Sequence, residues 1–167
     1  SEMPKSSEMV WDVIINEVMA KNVSFLPDGN GNYTDWIELK NNTDHEINLQ
    51  GYSLSNGSGQ DTYFFLDYVL PANGFAVFFT ETNVEENSAN DTIPISISAS
   101  GEKLYLGDLT CNEQQLFETG YQGENISSGL NEKGDRVFFQ IPTPGETNAT
   151  EYYASYSSPV NFSLDGG

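Results

Sequence analysis

Three acidic residues near the start of the sequence have the spacing needed for acid–base chemistry. Glu17 lies in WDVIINEVMA (11–20), and Asp35 and Glu38 lie in TDWIELKN (34–41). If these runs pair as strands, the carboxylates converge, and two carboxylates about 5–9 Å apart suit glycoside hydrolysis. In the structural alternative, Glu17 and Asp35 satisfy backbone groups or a cation at the sheet margin, and Glu38 is a solvated strand residue. Because 25 acids are present and no nucleophile–base pair accompanies these three, we predict that the chain is not an enzyme.

A second candidate site is the glycine-rich stretch PDGNGNYTD. Asp28, Asn30 and Asn32 repeat the first three oxygen ligands of a calcium loop, D-x-N-x-N. The glycine required at the sixth position of an EF-hand is Tyr33 here, and the glutamate required at the twelfth is Leu39. The stretch is therefore more typical of a surface loop in which Asp and Asn stabilise turns, with Ca²⁺ binding as the minority alternative. No other cofactor is predicted.

The run TDWIELKN alternates strictly, which is typical of a β-strand. Alternation places Ile37 and Leu39 on one face and Trp36 and Glu38 on the other. We expect Ile37 and Leu39 to face the core. If the outer strand face is exposed, Trp36 and Glu38 provide a binding platform for a sugar ring or a partner protein. In the alternative, the sandwich or a neighbouring domain covers them.

Charge and composition exclude several classes of partner. The chain has 6 Lys+Arg against 25 Asp+Glu, a formal net charge of −19, and no basic cluster. Such a chain repels phosphate backbones, so neither nucleic-acid binding nor adsorption to an anionic membrane is expected. No apolar run reaches the roughly 18 residues of a membrane span, so no membrane insertion is predicted. The single cysteine, Cys111, is predicted to be a small buried or half-buried thiol rather than a nucleophile.

Strand-like runs separated by turn residues continue along the chain. They are rich in β-branched and aromatic residues, and they recur at the roughly 8–12-residue spacing of an antiparallel sandwich or barrel. No segment shows a sustained helical period. The fold class is therefore predicted to be all-β. After the first two runs they are INLQGYSLS (47–55), TYFFLDY (62–68), GFAVFFTE (74–81), ISISASGEKLYLGD (95–108), QQLFETG (114–120) and DRVFFQI (135–141).

Composition divides the chain into three parts. Residues 1–10 are polar and are predicted to be a disordered leader or a cloning remnant. Residues 11–148 carry the strand pattern and form the predicted domain. Residues 149–167 begin with a Ser- and Tyr-rich stretch without alternation, and they are predicted to be a linker followed by the start of a truncated next domain.

Six motifs, in order, resemble those of the lamin-tail domain, an immunoglobulin-like antiparallel β-sandwich found in nuclear lamins and in many bacterial extracellular proteins. They are IINEVMA (14–20), DWIELKN (35–41), INLQGYSLS (47–55), LPANGFAVFF (70–79), SISASGEKLYLGD (96–108) and PTPGETN (142–148). The sequence departs from bacterial members before the last strand, where it has ISSGLNEKGDRVFF (126–139) in place of a Ser-x-Gly-Arg-like segment. This departure leaves the alignment of residues 109–134 open.

The resemblance implies a non-catalytic accessory module that binds a protein or positions neighbouring domains of the same chain. The end of the sequence, SPVNFSLDGG (158–167), is similar to the start of a small β-domain found in bacterial proteins related to the CotH family of spore-coat kinase-like proteins. That similarity implies an extracellular or cell-surface location, with the spore coat as one setting. Two alternatives stay open: a carbohydrate-binding module using exposed aromatics, and a calcium-stabilised adhesion domain.

Overall fold

Fifteen β-strands form the regular structure in the computed structural model, which describes residues 11–57, 62–81, 91–109, 114–157 and 161–163. No helix occurs in these ranges, and thus none there could cross a membrane. The strands are β1 Val13–Met19, β2 Trp36–Asn41, β3 Ile47–Asn48, β4 Ser53–Ser55, β5 Thr62–Phe64, β6 Val69–Leu70, β7 Phe75–Thr80, β8 Thr92–Ile93, β9 Lys103–Gly107, β10 Gln114–Glu118, β11 Ser127–Leu130, β12 Arg136–Phe139, β13 Tyr152–Tyr153, β14 Ser155–Ser157 and β15 Asn161–Ser163.

Two main sheets pack against each other. The large sheet has seven strands in the order β13-β12-β11-β1-β2-β7-β8, and the small sheet has four in the order β10-β9-β4-β5. All pairs within them are antiparallel except β7 with β8, which is parallel. Two further two-stranded sheets are formed by β3 with β6 and by β14 with β15. The predicted all-β, immunoglobulin-like sandwich is confirmed.

The core lies between the inner faces of the two main sheets. Ile37 and Leu39 of β2 are fully buried in a cluster that also contains Leu54 of β4 and Leu104 of β9. This arrangement follows from strand geometry, because side chains at every second position share a face and each sheet hides its apolar face against the other. The prediction that Ile37 and Leu39 face the core is confirmed.

A β-bulge interrupts the pairing of β1 with β2. Ile15 lies opposite Leu39, but the next paired residue of β1 is Glu17, which lies opposite Glu38. The extra residue, Asn16, shifts the register by one and brings the two glutamates together on the outer face. The Gln115 side chain braces the bulge: its Oε1 accepts the backbone N–H of Ile15 at 2.8 Å, and its Nε2 donates to the Ile15 carbonyl at 3.4 Å.

The large sheet continues past residue 148, because Tyr152–Tyr153 pairs with β12. The boundary placed at residue 148 by composition stays a prediction, as does the assignment of the following residues to another domain. The leader 1–10 and Cys111 lie outside the described residues.

Candidate functional site: a loop held by two buried glutamates

The pairing of β1 with β2 brings together two of the three acids considered for chemistry. Glu17 and Glu38 lie directly opposite each other, and both are 0% exposed. Asp35 is engaged elsewhere, where its Oδ1 accepts the backbone N–H of Asn22 at 3.2 Å. The convergence predicted for three carboxylates therefore holds for the Glu17–Glu38 pair.

Glu17 accepts hydrogen bonds from two distant segments. The Ser127 hydroxyl on β11 donates to Oε2, and the backbone N–H of Thr143 lies 3.2 Å from both carboxylate oxygens. Thr143 begins the segment TPGETN at residues 143–148, called here the closing loop. A buried carboxylate needs such donors, since an unsatisfied charged group inside a protein costs several kcal/mol.

Glu38 holds the same loop at a second point. Its Oε2 accepts the backbone N–H of Gly145, and its Oε1 accepts the side-chain amide of Asn16 at 3.0 Å. The bulge residue Asn16 thus contributes a donor to the site as well as shifting the register. The alternative in which Glu38 is a solvated strand residue is wrong, because the closing loop covers it.

The closing loop ends on a third anchor, Asn148. Its Nδ2 donates to the carbonyl of Asn16 at 2.9 Å and to that of Leu130 at 2.8 Å, while its Oδ1 accepts the Thr143 hydroxyl at 3.1 Å. Gly129 leaves the room for this contact, because a Cβ there would lie 2.7 Å from the Asn16 oxygen and 2.9 Å from Asn148 Nδ2. The loop is tied across β1 and β11 as well as β2.

Burial raises the pKa of both glutamates. Removal from water brings the pKa of Glu17 to about 7; the Ser127 and Thr143 hydrogen bonds oppose the rise, and the charge of Glu38 adds to it. Burial also brings the pKa of Glu38 to about 7, against the hydrogen bonds from Gly145 and Asn16. The two titrations are coupled, since a proton on one relieves repulsion at the other.

The geometry of this pair favours a structural use over a catalytic one. A glycosidase needs both carboxylates beside its substrate, with one positioned to protonate the leaving oxygen. Here both groups are fully buried and accept their hydrogen bonds from Ser127, Asn16 and the backbone of the closing loop. Glu17 and Glu38 fix the closing loop through hydrogen bonds, and the strength of these bonds depends on whether each carboxyl group is protonated.

The prediction that Trp36 and Glu38 form an exposed binding platform is corrected by the structure. Both side chains are 0% exposed. Trp36 packs with Met19 and Phe79, and its ring stacks with that of Phe25 at 6.4 Å. The face opposite the core is therefore covered twice, over Trp36 by the segment that contains Phe25 and over Glu38 by the closing loop.

The candidate calcium residues form a hydrogen-bonded turn. Asp28 Oδ1 accepts the backbone N–H of Asn30 at 2.8 Å and that of Asn32 at 2.9 Å, and the Asp28 N–H donates to the Asn32 carbonyl at 2.8 Å. These bonds are those of an Asx-type turn, the alternative interpretation of the stretch. Within the described ranges no group of three or more His, Cys, Asp or Glu residues could hold a metal. Calcium binding at Asp28, Asn30 and Asn32 stays a prediction.

Sequence reasoning missed the residues that hold the closing loop. Ser127 is 110 residues from Glu17, and Gly145 is 107 residues from Glu38, so no local pattern links them. The one available signal was the motif TPGETN, whose Thr143 and Asn148 are buried or half-buried although the composition is that of a solvent-exposed turn.

Most of the chain matches a known protein family. The sequence profile of the Lamin Tail Domain family matches residues 7–140, which includes both glutamates and stops just before the closing loop. A comparison with curated proteins found no match. Since the matched segment covers well over half of the chain, the chain belongs to the Lamin Tail Domain family.

Proposed function

We propose that this lamin tail domain is an interaction module that fixes the position of the chain segment following it in a secreted or surface-attached bacterial protein. Lamin tail domains are immunoglobulin-like modules that generally lack catalysis. The proposal adds a direction to that general role: the module orients what is attached to its carboxyl-terminal side. The bacterial, extracellular and spore-coat setting rests on the resemblance of SPVNFSLDGG to the domain that follows in CotH-related proteins.

The observation that carries the proposal is the attachment of the closing loop. Glu17 and Glu38 accept hydrogen bonds from its first half, and Asn148, its last residue, donates to β1. The side chains of these three residues are buried. A few residues later the chain pairs with β12 through Tyr152–Tyr153. A segment tied to the sheet at both places leaves in a defined direction, whereas an untied loop would let attached groups swing freely.

Charge supports a protein partner or neighbouring domain rather than a polyanion. With 25 acids against 6 cations, the surface field favours a basic contact surface and speeds encounter with it. Complementary charge contributes specificity and association rate more than affinity. The partner expected from this argument carries exposed Lys and Arg, and its binding weakens as salt increases.

Hydrogen exchange tests whether the glutamates position the exit of the chain. Because β13 is an edge strand, only the one amide of Tyr152 and Tyr153 that points to β12 should be protected in the native protein. Glu38→Ala should speed the exchange of that amide at least about tenfold while the Leu39 amide stays protected. Glu146→Ala is the matched control, because Glu146 lies in the same loop and is exposed. If the amide that bonds to β12 exchanges at the same rate in the native protein, in Glu38→Ala and in Glu146→Ala, the proposal is contradicted.

Two alternatives have separate tests. The carbohydrate-binding alternative uses exposed aromatics, and the burial of Trp36 excludes that residue from the role. A polysaccharide pull-down with the intact chain decides it, since retention on any glycan would restore it. The calcium-stabilised adhesion alternative depends on Asp28, Asn30 and Asn32, and it is tested by thermal unfolding with and without Ca²⁺.

A further inference from the structure

A cavity of about 450 Å³ opens at one end of the sandwich, away from the two buried glutamates. It lies where the start of β12 in the large sheet meets the ends of β4 and β10 and the start of β9 in the small sheet. Its volume is within the range of small-ligand sites, which is about 300–1,000 Å³. The ends of a sandwich are also where loops cluster and where such folds commonly carry their binding residues.

Arg136, the sole arginine of the chain, lines this cavity. Its guanidinium lies over the ring of Phe138 at 4.7 Å from the centroid, which holds the plane of the group. Nη1 is buried and has no hydrogen-bond partner, and among the described residues no carboxylate lies within 4.0 Å of the guanidinium. Arg136 as a whole is half-buried and lines the cavity with the part of its side chain that stays accessible. A partly desolvated cation is costly, and an anion that contacts this accessible part offsets the cost.

The acids around the cavity are already engaged. Glu118 pairs with Lys103 at 3.9 Å, and Glu102 Oε1 accepts the backbone N–H of Ser98 at 3.3 Å. Two cations and two acids line the cavity, so their formal charges cancel in a chain whose net charge is −19. The formal charge of the wall is therefore zero, and Arg136 is the cation there with no carboxylate within 4.0 Å among the described residues. Burial lowers the pKa of Arg136, and the charge of Glu118 opposes that shift.

Three glycines keep the wall open and preformed. Gly57, Gly101 and Gly120 all line the cavity with positive φ values of 74°, 124° and 68°, a backbone conformation that other residues rarely adopt. A Cβ on Gly120 would lie 2.9 Å from Arg136 Nη1 and 2.8 Å from Phe138 Cζ. The loops carrying Gly101 and Gly120 are also joined, since the Thr119 N–H donates to the Glu102 carbonyl at 2.9 Å.

We propose that this cavity binds the carboxylate of a small ligand, with Arg136 as the ion-pairing residue. The planar guanidinium matches the carboxylate and donates hydrogen bonds to both oxygens. The volume admits a group the size of one sugar-acid or amino-acid residue. The carboxylate could come from a uronic acid or from the end of a peptide. None of the residues that line the cavity belongs to the closing loop.

The single arginine makes the binding experiment specific. In a ¹⁵N-labelled sample of the intact chain, the Arg136 Nε–H resonance has no other arginine with which to overlap. It is followed during titration with glucuronate and with a dipeptide bearing a free carboxyl terminus. The neutral matches are glucose and the same dipeptide amidated. We expect a saturable shift with at least one acid and none with its neutral match, and the acid that acts identifies the source.

Variants check that the shift reports this cavity. Arg136→Gln should weaken binding at least about tenfold, measured by the shifts of the Gly101 and Gly120 amides. Lys133→Gln removes an exposed cation outside the cavity and should leave binding unchanged. If Arg136→Gln fails to fold, the native titration at raised salt replaces it, because an ion pair weakens there. The proposal is overturned by the absence of a shift with both acids at millimolar concentration, or by equal shifts with acid and neutral match.

Discussion

The two faces of β2 are equally buried but are held by different interactions. On the inner face Ile37 and Leu39 pack in an apolar cluster built from both sheets. On the outer face Trp36 packs under Phe25, and Glu38 accepts hydrogen bonds from the closing loop. A strand at the centre of a sheet commonly has one solvated face, yet here both faces are interior.

The difference shows what each kind of contact can specify. Apolar packing stabilises the fold in proportion to the area buried, and it has little directional preference. The hydrogen bonds to Glu17 and Glu38 are directional, so they determine where the closing loop lies as well as whether it is bound. They also depend on protonation. The inner face therefore supplies stability, and the outer glutamate pair supplies position.

The largest expected losses in the free energy of unfolding come from truncating one buried side chain on each face of β2. Trp36→Ala should lower the free energy of unfolding by about 4 kcal/mol, because a fully buried indole is replaced by a cavity. Leu39→Ala on the inner face should cost a comparable amount, about 3 kcal/mol. Urea denaturation measures both. A loss below about 1 kcal/mol for Trp36→Ala would mean that the outer face is solvated in solution.

The glutamate pair should matter less for stability than the tryptophan beside it. At pH 6, Glu38→Ala should lower the free energy of unfolding by roughly 2 kcal/mol, because the Gly145 N–H and the Asn16 amide lose their buried acceptor. Glu146→Ala, in the exposed part of the same loop, should change stability by under about 0.5 kcal/mol. Denaturant unfolding of the two variants in parallel measures the difference. Equal losses of stability would contradict the role of Glu38 in holding the closing loop.

The burial of the inner face of β2 could be predicted from sequence, and the burial of its outer face could not. Strict alternation predicted that Ile37 and Leu39 share the core face, because a period of two is a property of the strand backbone itself. The burial of Trp36 and Glu38 depends on segments elsewhere in the chain that fold over them. Alternation states which side chains share a face and is silent on what covers that face.

Only part of the Glu17–Glu38 site could be predicted from sequence, because the rest depends on distant segments of the chain. Convergence of Glu17 and Glu38 followed from pairing the first two strands, which adjacency in sequence suggests. The bulge at Asn16 sets their exact register, and Ser127 and Gly145 complete the hydrogen bonding from more than 100 residues away. Asp35 does not join them, because it lies three positions before Glu38, where alternation places it on the opposite face, and its Oδ1 accepts the Asn22 N–H.

The two faces should also respond differently to pH. Both glutamates have a folded-state pKa of about 7, raised from the ordinary value of 4.5. Between pH 4.5 and 7 these two groups keep protons in the folded state that they release in the unfolded state, so the contribution of the pair to stability is greatest below this window and falls as pH rises through it. The slope is about 1.4 kcal/mol per pH unit for each group while it titrates.

Urea unfolding across pH 5–8 measures this slope. Replacing both groups, Glu17→Gln with Glu38→Gln, should flatten the profile between pH 5 and 7, while Glu132→Gln at an exposed position should not. If the native protein gains stability relative to the double variant as pH rises across the window, the pKa values of the pair are depressed, with the hydrogen-bond donors outweighing burial.

The smallest expected effect concerns a half-buried carboxylate, that of Asp28, which also accepts two backbone N–H groups. Asp28→Ala should cost about 1 kcal/mol, because Asp28 Oδ1 accepts the Asn30 and Asn32 amides in a turn open to water. If the turn is its whole role, millimolar Ca²⁺ should leave the melting temperature of the native protein unchanged. A calcium-dependent rise that is absent in Asp28→Ala would instead establish the calcium site. Either result sharpens the contrast with Glu38, because water can replace the donors of the half-buried Asp28 carboxylate but not those of the fully buried Glu38.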